Sequence, residues 1–198
     1  QRQMCIRDRS MTLKENLQEI QSQIGSRPVK LIAVSKYTTL EKMVEAFQLG
    51  IRDFGESRIQ DVLAKMSQLP EEMVQGVQWH YIGHLQTNKV KKTLGKFTLI
   101  HSVDSTRLAQ ALSQANHRAS LTQDILLQVN ITKEPQKYGF SEQELKETLS
   151  ELTNLSGLRI LGLMTMAKAD DSPDNIKETF SRLAALRHEL SLNHHVQL

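Results

Sequence analysis

Apolar residues along this chain fall into two alternating patterns. Short runs rich in Val, Ile and Leu are separated by longer stretches in which apolar positions recur three or four residues apart. The first pattern is that of strands covered on both faces, the second that of helices with one buried stripe. Leu13, Leu17, Ile20 and Ile24 predict an opening helix that stops at Gly25. The run at 29–36, containing LIAVSK, predicts the first strand. Leu40, Met43, Val44 and Phe47 predict a helix closed by Gly50, and IRDF at 51–54 a short strand ending at Gly55. Ile59, Val62, Leu63 and Met66 mark a third helix, with Pro70 beyond it. VQWHYIG at 77–83 predicts the third strand, followed by a short basic helix over 87–94.

The alternation continues to the end of the chain. FTLIHSV at 97–103 predicts strand four, and Asp104 or Ser105 caps a helix carrying Leu108, Ala111, Leu112 and Ala115. DILLQVN at 124–130 is strand five, and Ser141 caps a helix with Leu145, Leu149 and Leu152 on one face. LRILGLM at 158–164 is strand six. A polar loop then leads to a helix with Ile176, Phe180, Leu183, Leu186 and Leu190, and HHVQL at 194–198 reads as the start of strand seven. Strand–helix units without hairpin signals predict a parallel α/β protein. Neither GxGxxG nor GxxxxGK[ST] occurs, so the phosphate-loop versions of a doubly wound sheet lack support. The regular spacing predicts a (β/α)₈ TIM barrel. Such a barrel usually needs about 250 residues, and the chain has 198. The expectation is therefore a single domain over 11–198, truncated after the start of strand seven and lacking its C-terminal units. Residues 1–10 have no strand or helix period and no apolar core of a signal peptide, and are expected to be a non-native or disordered leader.

Composition narrows the function classes. Hydrophobic residues make up 39% and charged residues 24%, ordinary for a globular domain. The apolar runs are too short for a membrane-spanning helix. Net charge is +3, and the densest basic cluster, Lys89, Lys91, Lys92 and Lys96, has no interleaved aromatics. It reads as a solvated helix face, and neither nucleic acid nor membrane is expected as a partner. The single cysteine, Cys5, excludes an intrachain disulfide and points to a cytoplasmic, reducing compartment. His80 and His84 stand four apart on a strand broken by Gly83, without converging ligands, so no metal site is expected. Asp170, Asp171 and Asp174 fail the spacing of a calcium loop; His194 and His195 at the end of the chain remain open.

Strand alternation makes one residue a candidate for chemistry. Lys30, Ile32, Val34 and Lys36 share one face of the first strand. If Ile32 and Val34 point into the barrel, Lys36 follows them at the carboxyl end, where barrel active sites are built. Low-dielectric walls there would favour the neutral amine, a nucleophile suited to Schiff-base formation with a carbonyl. From spacing alone, such a lysine is more often a strand-end side chain reaching into water, and an aldolase-like barrel is also allowed.

Several segments together resemble one family. AVSKYTTLEKMVEAFQLGIRDFGESRIQD, WHYIGHLQTNKVKK, HSVDS, LLQVNITKEPQKYGF and GLMTMA occur in the order found in the pyridoxal phosphate homeostasis proteins, also called proline synthetase co-transcribed homologues. The resemblance runs from Met11 to Leu198. It implies an alanine racemase N-terminal-domain-like barrel that holds pyridoxal 5'-phosphate (PLP) as a Schiff base on Lys36. It further implies cofactor contacts at Ser57, where serine replaces the family's usual asparagine, and at His80, Asn88 and Met164. The family's C-terminal S-M-G-M-S and V-R-I-G segments, which hold the phosphate, have no counterpart here.

The implied role is PLP homeostasis without established catalytic turnover, by a monomer whose partners are PLP and PLP-dependent apoenzymes. The alternative is a PLP-dependent amino-acid racemase. A two-base racemase needs a second base opposite the lysine, and the tyrosines are Tyr37, Tyr81 and Tyr138. Alternation is expected to turn Tyr37 away from Lys36, so no catalytic residue is assigned.

Overall fold

The computed structural model describes residues 11–135, 138–168, 170–194 and 197–198. Helix α1 (Leu13–Ile24) starts where the Thr12 hydroxyl accepts the Glu15 N–H while the Glu15 carboxylate accepts the Thr12 N–H. This reciprocal cap satisfies two amides that the first helical turn leaves without partners. Gly25, at φ 59°, ends the helix. Helix α2 (Leu40–Gln48) is capped by Thr39, and α3 (Ile59–Met66) has no side-chain cap. A four-residue helix, α4 (Glu71–Val74), follows Pro70; it is too short to leave a periodic signature. The basic segment forms a 3₁₀ helix, Thr87–Thr93. Ser105 and Ser141 cap α5 (Thr106–Arg118) and α6 (Glu142–Thr153), and the last helix, α7, spans Pro173–His194.

Six strands lie between these helices: β1 (Ala33–Val34), β2 (Asp53–Glu56), β3 (Gln78–Tyr81), β4 (Leu99–Val103), β5 (Gln123–Gln128) and β6 (Leu158–Met164). They form one parallel sheet in the order β1-β2-β3-β4-β5-β6. Each strand pairs with its predecessor, so the order never reverses. A doubly wound sheet has a reversal point; this succession is that of a barrel wall. β1 is far shorter than the predicted 29–36, because only Ala33 and Val34 pair with β2. An extended edge segment reads the same in sequence whether or not its amides are bonded. The predicted seventh strand begins on His194, which closes α7; residues 195 and 196 lie outside the described residues, and Gln197 and Leu198 belong to no strand.

Alternation sorts the strands into two faces. Phe54, in register with Ala33 and Trp79, lines a cleft with Met43 and Ala46 of α2, so this face meets the helices. Phe54, Ile100, Ile125, Leu127 and Leu149 belong to one continuous buried cluster. The opposite face forms the inner wall. There, a Cβ built on Gly55 would lie 3.0 Å from Ile82 Cδ1 and 3.3 Å from Ile32 Cγ2. Val34 shares this face by register but is 52% exposed, so the inner wall stands open at β1.

The loops after β2 and β3 meet where Gly83 lies against Ser57. A Cβ at Gly83 would sit 2.2 Å from the Ser57 carbonyl oxygen. Backbone cannot yield as a flexible side chain does, so Gly83→Ala is expected to lower stability by about 1–3 kcal/mol. Urea denaturation checks this; an unchanged midpoint would contradict the close approach.

Candidate functional site

Lys36 follows the carboxyl end of β1, and Arg58 in the loop after β2 reaches the ring of its neighbour Tyr37. The chain leaves β1 after Val34 and turns at once: Thr38 N–H donates to the Ser35 carbonyl at 3.1 Å, and Tyr37 has φ 63°. Lys36 therefore stands at a turn corner, and its side chain is exposed. The low-dielectric walls expected from strand position do not surround it. Strand alternation also ends at the turn, so Tyr37 is not directed away. Its ring centroid lies 6.0 Å from Lys36 Nζ and 5.8 Å from Arg58 Cζ. Both are cation–ring distances at which attraction is felt. Lys36 forms no ion pair or hydrogen bond among the described residues.

Ser35, the residue before it, has every polar atom engaged. Its N–H donates to the Gly55 carbonyl at 3.0 Å, and its hydroxyl donates to Glu56 Oε1 at 2.6 Å. Its carbonyl also accepts Lys65 Nζ from α3. Lys65 pairs with the same Glu56 oxygen. Glu56 is fully buried, and its Oε2 has no hydrogen-bond partner among the described residues.

Ser57, Arg58, Tyr81, His84 and Lys89 line a cleft of about 340 Å³ between the loops after β2 and β3. The Tyr81 hydroxyl lies 3.2 Å from both the Ser57 and His84 carbonyls, and burial raises its pKa. His84 Nδ1 is 2.9 Å from Asp104 Oδ2, and its ring stacks on Tyr138 with centroids 3.8 Å apart. These contacts tie together the loops after β3, β4 and β5.

The other anticipated residues are dispersed. Asn88 is exposed on the 3₁₀ helix beside the cleft. Met164 ends β6, at the opposite edge of the sheet order from β1. His80 lies on the inner wall with both ring nitrogens engaged: Nε2 is 2.8 Å from Asp53 Oδ1 and Nδ1 is 2.8 Å from His101 Nε2. Any cofactor contact it makes would be through the ring face. Lys30 Nζ meets the same Asp53 oxygen at 3.1 Å. Among the described residues, no group of three or more His, Cys, Asp or Glu is disposed to hold a metal, and no helix is long and apolar enough to cross a membrane.

Sequence reasoning missed Tyr37, Arg58, the Glu56–Lys65 pair and the Asp53–His101 connection. Tyr37, Asp53, Glu56, Arg58, His80 and His101 lie within the motif segments, but the segments do not say which of them meet. The register of β2, β3 and β4 supplies the rest, and register is not written in any one segment.

Comparison with known proteins places these features. The pattern of the alanine racemase N-terminal domain matches residues 10–197. The pyridoxal phosphate homeostasis protein of Aquifex aeolicus is 35% identical over 174 residues, covering 88% of this chain and 75% of that protein. Its counterpart in Synechocystis is 39% identical over 158 residues, covering 80% and 72%. PipY of Synechococcus elongatus without PLP superimposes with a TM-score of 0.87 at 31% identity, covering 94% of this chain and 86% of PipY. The PLP-bound form of PipY gives 0.84 over the same shares. An alanine racemase of Clostridium difficile shares the fold alone, with a TM-score of 0.72 at 14% identity over 92% of this chain and 47% of the racemase.

The inner histidine pair carries a pH signature. Burial, then the nearby His80, lowers the His101 pKa from 6.5 to about 4. For Asp53, burial raises the pKa, but hydrogen bonds from His80 and Lys30 and their charges outweigh it, so the net shift is downward. Unfolded His101 takes up a proton near 6.5; the folded form waits until about 4. In that window the unfolded chain binds more protons, so stability falls as pH is lowered. The urea midpoint at fixed ionic strength should therefore decline from pH 6.5 towards 4, and His101→Gln should flatten the decline. An identical decline in the variant would contradict this assignment.

Proposed function

From the premise that the chain belongs to the pyridoxal phosphate homeostasis proteins and carries the alanine racemase N-terminal domain, we propose that it binds pyridoxal 5'-phosphate covalently on Lys36 and acts as a carrier in PLP homeostasis. The observation that carries this reading is the Lys36 amine, exposed at a turn corner after β1 with no ion pair or hydrogen bond among the described residues. The residue present fits the aldehyde end of the group: Lys36 is an exposed primary amine with no ion pair among the described residues. When bound, the cofactor supplies an aldehyde with which a lysine amine condenses, losing one water, to a Schiff base. Ser57, Asn88, His80 and Met164 would supply the further contacts. The turn presents the amine to solvent, beside the Tyr37 ring.

The carrier reading is favoured over racemization by the placement of the tyrosines. A two-base racemase works from opposite faces of its substrate. Tyr37 follows Lys36 directly and stands beside its amine. The Tyr81 hydroxyl is engaged by the Ser57 and His84 carbonyls, and the Tyr138 ring is stacked on His84. Two are thus committed to other contacts, and the third is the sequence neighbour of Lys36. Delivery to PLP-dependent apoenzymes is the role such a carrier would serve.

Incubation with PLP, borohydride reduction and peptide mapping should place the label on Lys36, and Lys36→Ala should abolish it. A label that maps to another lysine refutes the anchor. With L-alanine and added PLP, no racemization is expected, and turnover at enzymatic rates would overturn the carrier role.

A further inference from the structure

We propose that the buried Glu56–Lys65 pair is a positioning device for Lys36, acting through the backbone of Ser35; this rests on Lys36 being the anchor. Among the described residues, Lys36 itself meets only its neighbour's ring, so its backbone sets where the amine stands. The strand that delivers it is a two-residue edge strand, bonded to β2 alone. So short a ladder fixes the following turn poorly. The missing constraint comes from Glu56 and Lys65. Glu56 Oε1 accepts the Ser35 hydroxyl at 2.6 Å, and Lys65 Nζ donates to both Glu56 and the Ser35 carbonyl. That carbonyl is the one that closes the turn with Thr38 N–H. β1, β2 and α3 are thereby joined at the residue before the amine.

Stability alone accounts poorly for this pair. Both groups are taken out of water, Glu56 fully and Lys65 with a side chain 16% exposed. Glu56 Oε2 is left without a partner among the described residues. Buried ion pairs are often replaceable by neutral side chains without loss of stability, whereas removing one member leaves an uncompensated charge. The double replacement Glu56→Gln/Lys65→Met therefore removes both charges and the bond to the Ser35 carbonyl while sparing the fold.

The experiment compares wild type with that double variant. Borohydride trapping at limiting PLP is read as the ratio of label on Lys36 to label on Lys42, an exposed lysine on α2 that serves as internal standard. The urea midpoint is measured alongside. The ratio should fall on the order of tenfold or more, as misplacing a reacting group does, with the midpoint near that of wild type. A purely structural pair would lower the midpoint and leave the ratio unchanged, which overturns the proposal. If the double variant does not fold, Ser35→Ala, which removes only the hydroxyl bond to Glu56, is read by the same ratio. Wild type that shows no preference for Lys36 refutes the anchor instead. Amide exchange of Thr38 then decides the clamp: on the order of tenfold faster in the variant if the pair holds the turn, unchanged if it does not.

Discussion

Strands laid side by side in chain order must give alternate residues to opposite layers, and the whole site descends from that constraint. β2 shows it in four residues. Phe54 and Glu56 go to the helix layer, one as core and the other as a buried carboxylate, while Asp53 and Gly55 go to the inner wall. Gly55 leaves room for Ile32 and Ile82 to meet, and Asp53 receives His80. A slip of one residue would exchange these assignments at once, placing Glu56 on the inner wall and Asp53 under the helices. The register is consequently held by chemistry as well as by packing.

Helices were the legible part of the sequence because their signals are local. Apolar positions three and four apart, with Ser105 and Ser141 as caps, name α5 and α6 without reference to anything distant. Strand order and class followed from counting alternations. The first strand is shorter than its sequence suggests for a physical reason: the apolar run continues on both sides, but only Ala33 and Val34 form ladder pairs with β2, and the chain turns at Lys36. Lys36 was located at the correct end of that strand, yet the turn that exposes it left no mark. A left-handed residue usually announces itself as Gly or Asn, and here it is Tyr37. Lys65 was invisible for a different reason, since a lysine on a helix reads as surface until a buried carboxylate is found beneath it.

The exposure of Lys36 bears on the proposed role. An enzyme that performs chemistry on a bound cofactor generally closes water out of the site. A carrier has the opposite requirement, because what it takes up must also leave. An amine on a turn corner, fixed through its backbone but open to solvent on one side, suits exchange more than turnover. The cleft beside Ser57 and Arg58 and the stacked pair His84–Tyr138 give the same rim a rigid edge.

The inner wall has a property of its own. Asp53 Oδ1 accepts, so His80 gives it the Nε2 hydrogen; a neutral His80 then keeps only a lone pair on Nδ1, and His101 must donate across the 2.8 Å gap. Both bonds point one way, from β4 towards β2. The string thus fixes one tautomer in each neutral ring, so the carboxylate on β2 sets the orientation of a histidine two strands away.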